Sequence, residues 1–352
     1  MLELAAKYKD LISQVEHTRS DDLQKEESER AERAIFHDML DICLWGNATD
    51  LSLLTSLTHN DIHKLQGAKA RIANEKNILA NDSPLVLKVL REAKVTKAKQ
   101  DRRVDIVLDN AGFELLVDLL LAGYLLAANL ATHVVLHPKS IPWFVSDVLP
   151  VDFGNLLSAL ANPQSFYSAI PEDDKHSGPK LPEPLSDREV DELLFLFQHW
   201  STMHREGRLV IRPNRFWTHA GSFWRLPTVD PQLFKDLKES ELVIFKGDLN
   251  YRKLTADVSY AYQDIASPNC WIQVAWDPTT LFTTAIGPLG PGSGMRTLAC
   301  RTCKADVVVG LSEGDDERLR QTAGGGSDCG TRKWAWSGKW AVVQFCDGKK
   351  QA

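Results

Sequence analysis

Residues 104–137 constrain the fold more than any other stretch. They read VDIVL, then DNAGFELLVDLLLAGYLLAANLA, then THVVLH. Short apolar runs rich in β-branched residues, separated by one apolar helix, predict a strand–helix–strand unit. The helix, expected over 113–130, approaches the roughly 20 apolar residues that a bilayer span requires. It carries Asp118, lacks basic flanks and follows a strand directly, so it reads as a helix buried against a sheet. Later runs at 242–247 (LVIFKG), 305–311 (ADVVVGL) and 340–345 (WAVVQF) predict further strands. Strands alternating with helices predict an α/β fold: a mostly parallel, Rossmann-like sheet covered by helices on both faces.

Residues 1–100 read as an N-terminal helical region, and residues 101–352 as the α/β domain. Helical spacing recurs in AERAIFHDMLDICLW and SPLVLKVLREA, the second opened by Asp82-Ser83-Pro84. Gly46-Asn47 breaks the first. Pro171 to Pro184 forms a proline-rich connection, Ser186 to Glu189 a capping box, and Glu313 to Gly330 a glycine-rich surface loop. A net charge of −6 argues against a nucleic-acid partner, which needs a basic face. Neither a signal-peptide core nor a membrane partner is expected. Six cysteines in 352 residues fit reduced thiols in a cytoplasmic or nuclear protein better than a disulfide framework.

In parallel sheets, ligands bind beyond the carboxyl ends of the strands. The polar residues following each strand therefore form one candidate set. Asp109, Asn110 and Glu114 follow the first strand. Lys139, Ser146 and Asp147 follow the second. Lys246, Asp248, Asn250, Arg252 and Lys253 follow the strand at 242. Asp109, Asn110 and Asp147 offer oxygen ligands suited to a hard divalent cation such as Mg²⁺ or Mn²⁺. Gly112 permits close backbone approach, and the amides opening the next helix would face an anion. On spacing alone, a solvated loop rim explains the same residues.

Longer motifs favour the metal-site reading through a family resemblance. DNAGFELLVDLLLA, HPKSIPWFVSDVLPVDF, FKGDLNYRKLTAD, RTCKADVVVGL and SGKWAVVQF occur in that order, with LWGNATDLS upstream. This series resembles the ARMT-like branch of the damage-control phosphatase family (domain of unknown function 89) over roughly residues 30–348, and the branch's Arg-Thr-x-Lys signature is matched at Arg301, Thr302 and Lys304. The resemblance implies a metal-dependent phosphatase of small phosphomonoesters such as fructose 1-phosphate and fructose 6-phosphate, using Mn²⁺ or Mg²⁺, with Co²⁺ or Ni²⁺ as further options. It implies metal ligands at Asp109, Asn110 and Asp147, with Asp109 and Asp147 catalytic. It implies substrate contacts at Asp109, Asn110, Asp248, Leu249, Asn250, Tyr251, Arg252 and Lys304. The branch has also been ascribed a protein-glutamate O-methyltransferase activity, whose S-adenosylmethionine contacts would fall on Glu114 and Asp147. A non-catalytic phosphosugar-binding module is the third option. Two departures stand out. The family's helical region before DNAG is longer than the 108 residues present, implying a short or incomplete N-terminus. The stretches between Leu149 and Lys246, and around CWIQVAWDPTTLFTTAIGPLGPGSG, are longer than in relatives and read as surface insertions.

Other features have plainer readings. Cys300 and Cys303 form a CxxC without a second ligand pair at zinc-site spacing. His133 reads as a core histidine, His199 and His204 as helix-surface or locally packed. The many tryptophans suit a large core and its loops. Asn47 and Asp50 are either a turn or a flap over the site. Phosphoryl transfer is mostly positioning and electrostatics, with Lys304 on phosphoryl oxygens and either water or Asp109 as nucleophile. Lys304 precedes the strand expected at 305–311, so convergence on the site requires that strand to run antiparallel to 104–108, or its preceding loop to cross the sheet.

Overall fold

The structure, a computed structural model, describes residues 1–18, 25–46, 75–168, 184–256, 260–263, 271–274, 276–323 and 332–350. Asn47 and Asp50, most of the proline-rich connection, Cys270, and the GGGSDCG stretch with Cys329 lie outside the described residues.

Among the described residues, seven strands form one sheet. They are β1 (Ile78–Asn81), β2 (Arg103–Val107), β3 (His133–His137), β4 (Leu209–Ile211), β5 (Leu242–Lys246), β8 (Thr297–Thr302) and β9 (Ala341–Cys346), in spatial order β1-β9-β8-β5-β2-β3-β4. The remaining two, β6 (Tyr260–Gln263) and β7 (Trp271–Val274), make a separate antiparallel pair. Five strands, β8-β5-β2-β3-β4, run parallel. β9 is antiparallel to β8, and β1 pairs parallel with β9. The sheet is therefore mostly parallel, as the alternation of strands and helices predicts.

Side-chain alternation divides the core in two. Val104, Ile106, Leu242 and Ile244 pack on one face with the helices Leu2–Thr18, Lys25–Gly46, Phe113–Ala127 and Asp187–Arg205. Val107, Val243 and Phe245 pack on the other, against Trp217, Phe223, Leu254, Phe282 and Trp334. Both faces are covered, which explains why the central strands carry unbroken apolar runs. Helix Phe113–Ala127 is buried from Glu114 to Leu126, and among the described residues no helix is long and apolar enough to cross a membrane. Ser186 and Glu189 cap the helix Asp187–Arg205 reciprocally. The N-terminal helices share a core with β2 and β5, and β1 from the same region joins the sheet edge.

One strand expectation is overturned. Residues 305–311 form no strand; the strand is TLACRT, 297–302. The three valines 307–309 are buried, but side chains satisfy their backbone instead of a ladder. Gln344 Nε2 donates to the Val309 carbonyl at 2.7 Å, the Tyr251 hydroxyl accepts from Val309 N at 3.3 Å, and Arg301 donates to the Ala305 and Val307 carbonyls. Lys304 consequently follows its strand. The antiparallel arrangement required above is unnecessary, because β8 pairs parallel with β5 and β5 with β2.

Candidate active site

The carboxyl ends of β2, β3, β5 and β8 meet around one cavity of about 280 Å³. Asp109 and Asn110 leave β2, and a short bridge fastens them to the segment bearing Asp147. Ala111 N donates to the Ser146 carbonyl at 2.8 Å, and Val148 N to the Asp109 carbonyl at 2.9 Å. Gly112, at φ 71°, turns the chain into the helix Phe113–Ala127. Gly247 opens the helix Gly247–Leu254 at φ 81° and lies against Asp109. A Cβ on Gly247 would overlap the Asp109 carboxylate and sit 2.7 Å from the Asp109 Cβ. Only glycine meets both the conformation and the approach.

Asn110 is held by its amide. Its Nδ2 donates to Glu114 Oε2 at 2.8 Å and to Asp109 Oδ2 at 3.0 Å, while its Oδ1 accepts from Ser146 Oγ at 2.6 Å. Glu114 is braced from below by Lys246, whose Nζ lies 3.3 Å from Glu114 Oε1 and 2.8 Å from Asp118 Oδ1. Burial opposes the Lys246 charge, but Asp118, Cys43 and Glu114 keep its pKa well above the usual lysine range. Burial also pushes Asp118 up to about 6, despite the opposing pull of Lys246. Burial, with Glu114 and Asp147 adding to it, holds the Asp109 carboxyl well above the usual carboxylate range against Lys139 and Lys304. Lys139, fully buried, donates to the Leu108 carbonyl at 3.0 Å and lies 3.3 Å from Asp147 Oδ1.

Asp248 and Lys304 are joined by Arg301. The fully buried guanidinium donates from Nε to Asp248 Oδ1 at 2.7 Å and lies 4.3 Å above the Tyr251 ring. Lys304 N donates to the same Asp248 oxygen at 3.0 Å. Arg301 therefore latches the turn that presents Lys304. It was recognised in sequence only as part of a motif, and its role shows once β8 is placed.

Of the expected site residues, the structure brings Asp109, Asn110, Asp147, Asp248, Leu249, Arg252 and Lys304 to the cavity wall, completed by Phe144, Val145 and Ser146. Three others face elsewhere. Asn250 is fully buried and donates to the Leu108 and Lys246 carbonyls at 3.0 and 2.8 Å. Tyr251 is fully buried, and its hydroxyl donates to Gln344 Oε1 at 2.9 Å. Successive residues of a helix cannot all face one cavity, so the expected run of substrate contacts from 248 to 252 is interrupted at these two. Glu114, expected to touch S-adenosylmethionine, is buried beneath Asn110 and does not line the cavity. Asp248 reaches the cavity with its Oδ1 already accepting from Arg301 Nε and Lys304 N.

Among the described residues no three His, Cys, Asp or Glu side chains gather as a metal site. The set here has two carboxylates and an amide. Its oxygen donors fit a hard divalent ion that keeps water ligands. Cys300 and Cys303 are buried free thiols in different core clusters. Burial pushes them up to about 12 and about 11.

A family model described as "Damage-control phosphatase ARMT1-like domain" matches residues 3–319. The chain belongs to this family. Its relatives include damage-control phosphatase ARMT1 of Xenopus laevis, 34% identical over 90% of this chain and 60% of that protein. The bovine protein of the same name is 35% identical over 88% of this chain and 58% of its own length. The human one is 33% identical over 88% and 58%. The chain thus spans about three fifths of the length of the curated relatives it matches. The crystal structure of a DUF89 family protein from Pyrococcus horikoshii is 10% identical and covers 87% of this chain and 75% of that one, with a TM-score of 0.34, an overlap too small to argue from.

Proposed function

We propose that the chain hydrolyses small phosphomonoesters, fructose 1-phosphate and fructose 6-phosphate among them, with a divalent ion (Mn²⁺ or Mg²⁺, with Co²⁺ or Ni²⁺ as further options) held by Asp109, Asn110 and Asp147. The observation that carries this reading is the convergence of those three side chains with Arg252 and Lys304 on one cavity at the carboxyl ends of the strands. When bound, such an ion supplies Lewis-acid stabilisation of charge on the phosphoryl oxygens. Asn110 contributes an oxygen rather than a nitrogen, because Glu114 and Asp109 take up its amide hydrogens. Lys304, with its position set by the Arg301 latch, holds a phosphoryl oxygen as a flexible point charge. Arg252 offers a planar fork to the phosphate or to the sugar rim.

The relatives' name supports the phosphatase class. The methyltransferase reading is weaker, since Glu114 is turned beneath Asn110 and no glycine-rich loop of the usual methyltransferase kind follows β2. The four cysteines among the described residues are buried free thiols, which suits a reducing compartment, cytoplasmic or nuclear. A panel of sugar phosphates, each assayed for phosphate release with Mn²⁺, Mg²⁺, Co²⁺ and Ni²⁺, tests the proposal. Release from at least one fructose phosphate is expected. Inertness of the whole panel with every ion would leave a phosphosugar-binding module as the better reading.

A further inference from the structure

Ten large apolar side chains stand exposed among the described residues, and four of them fall between 141 and 151. Ile141 is 52% exposed, Phe144 71%, Val145 98% and Val151 59%. Two of these, Phe144 and Val145, line the cavity that holds Asp109 and Lys304. Exposed apolar groups scattered singly need no explanation, but two adjacent ones on the wall of a charged cavity do.

The loop carrying Ile141, Phe144 and Val145 is fixed at its base, whereas Val151 opens the helix Pro150–Ala161. Lys139 N donates to the Val148 carbonyl at 2.9 Å, and Val148 N in turn to the Asp109 carbonyl at 2.9 Å. Trp143 meets Phe144 edge-on with ring centroids 5.9 Å apart, and Lys253 Nζ lies 5.7 Å from the Trp143 ring. Phe144 itself sits at φ 49°, a left-handed conformation that a bulky residue rarely adopts. Strain of this kind persists where the surroundings impose it, and it gathers at ligand clamps. The rest of the lining is mostly polar, with Asp248, Arg252 and Lys304 beside Asp109, Asn110 and Asp147. An ester whose phosphate takes the charged part of the lining would therefore have Phe144 and Val145 left for its alcohol part.

We infer that Phe144 and Val145 form a specificity lip, selecting phosphate monoesters whose alcohol part presents an apolar or aromatic ring face over short, fully hydroxylated ones. The inference rests on the phosphatase reading and adds a substrate class to it. Its test is the kcat/KM of the full chain with Mn²⁺ for p-nitrophenyl phosphate and for glycerol 3-phosphate, in wild type, Phe144→Ser and Phe144→Leu. Intrinsic leaving-group reactivity cancels when the aryl-to-glycerol ratio is compared between proteins. Loss of one ring contact should lower that ratio about tenfold in Phe144→Ser, and Phe144→Leu should restore most of it. A ratio that stays within twofold of wild type, or rises, overturns the lip while leaving the phosphatase reading intact. Wild type that releases phosphate from fructose 1-phosphate but from neither of these esters overturns the lip alone, and wild type that releases it from none of the three overturns both. Thermal midpoints of the two variants close to wild type are expected, because Phe144 is mostly exposed, and the serine-to-leucine comparison keeps the ratio informative if they differ.

Discussion

Gly247→Ala is expected to damage stability and the site together. At φ 81° an alanine pays roughly 1–2 kcal/mol for the left-handed conformation. Its methyl group would also overlap the Asp109 carboxylate, and forcing an extra methyl into a packed region costs about 1–3 kcal/mol more. The expected loss is thus about 2–5 kcal/mol in urea denaturation. Relief requires Asp109 to move, and a displacement of about 1 Å at a reacting centre costs on the order of 10²-fold in turnover. Gly112→Ala is the comparison. Gly112, at φ 71° and ψ −123°, lies outside the left-handed helical well but has nothing within 4 Å of the added Cβ, so the variant should show a conformational cost of roughly 1–3 kcal/mol without the overlap. Its loss of phosphate release should be at least tenfold smaller than that of Gly247→Ala. Equal losses of stability and turnover in the two variants would refute the claim that Gly247 makes room for Asp109.

Three further outcomes are expected. Lys246→Met leaves Asp118 and Glu114 as buried carboxylates without their cation, which should cost about 3–5 kcal/mol in denaturant unfolding; Lys246→Met combined with Asp118→Leu should recover part of it, and full stability in the single variant would refute the network. Arg301→Lys cannot reproduce the fork or the ring stacking, so the turn bearing Lys304 should loosen, raising KM for a phosphate ester at least tenfold while circular dichroism stays unchanged. His199, held by Tyr8 at 3.1 Å and stacked on Phe195, is lowered by burial to about 4. A depressed histidine contributes stability above its unfolded pKa of 6.5, and that stability is lost as pH falls toward 4; His199→Gln should flatten this slope, and an unchanged slope would show that other groups control it.

The central sheet was legible in sequence because β2, β3 and β5 are buried on both faces and read as unbroken apolar runs. Helix Phe113–Ala127 was legible for the same reason. β8 was missed because TLACRT holds few β-branched residues, whereas the nearby DVVV mimics a strand. Its buried backbone is satisfied by Arg301, Gln344 and Tyr251, partners 6 or more positions away in the chain, which no local pattern reveals. The polar residues after each strand marked the cavity. Which of residues 248–252 face it depended on a helical phase starting at Gly247, and that start is set by the contact with Asp109. The lip at Phe144 carried no sequence signal, since exposed aromatics look like buried ones until the loop is placed.

Calorimetric titration of Mn²⁺ into the metal-free chain, run on wild type and Asp147→Asn beside phosphate release from fructose 1-phosphate, tests the proposed metal centre most directly. Wild type should bind the ion and release phosphate only without EDTA, and Asp147→Asn should lose both properties together. Undiminished Mn²⁺ binding in Asp147→Asn, or phosphate release that survives EDTA, would contradict a catalytic ion on Asp109, Asn110 and Asp147.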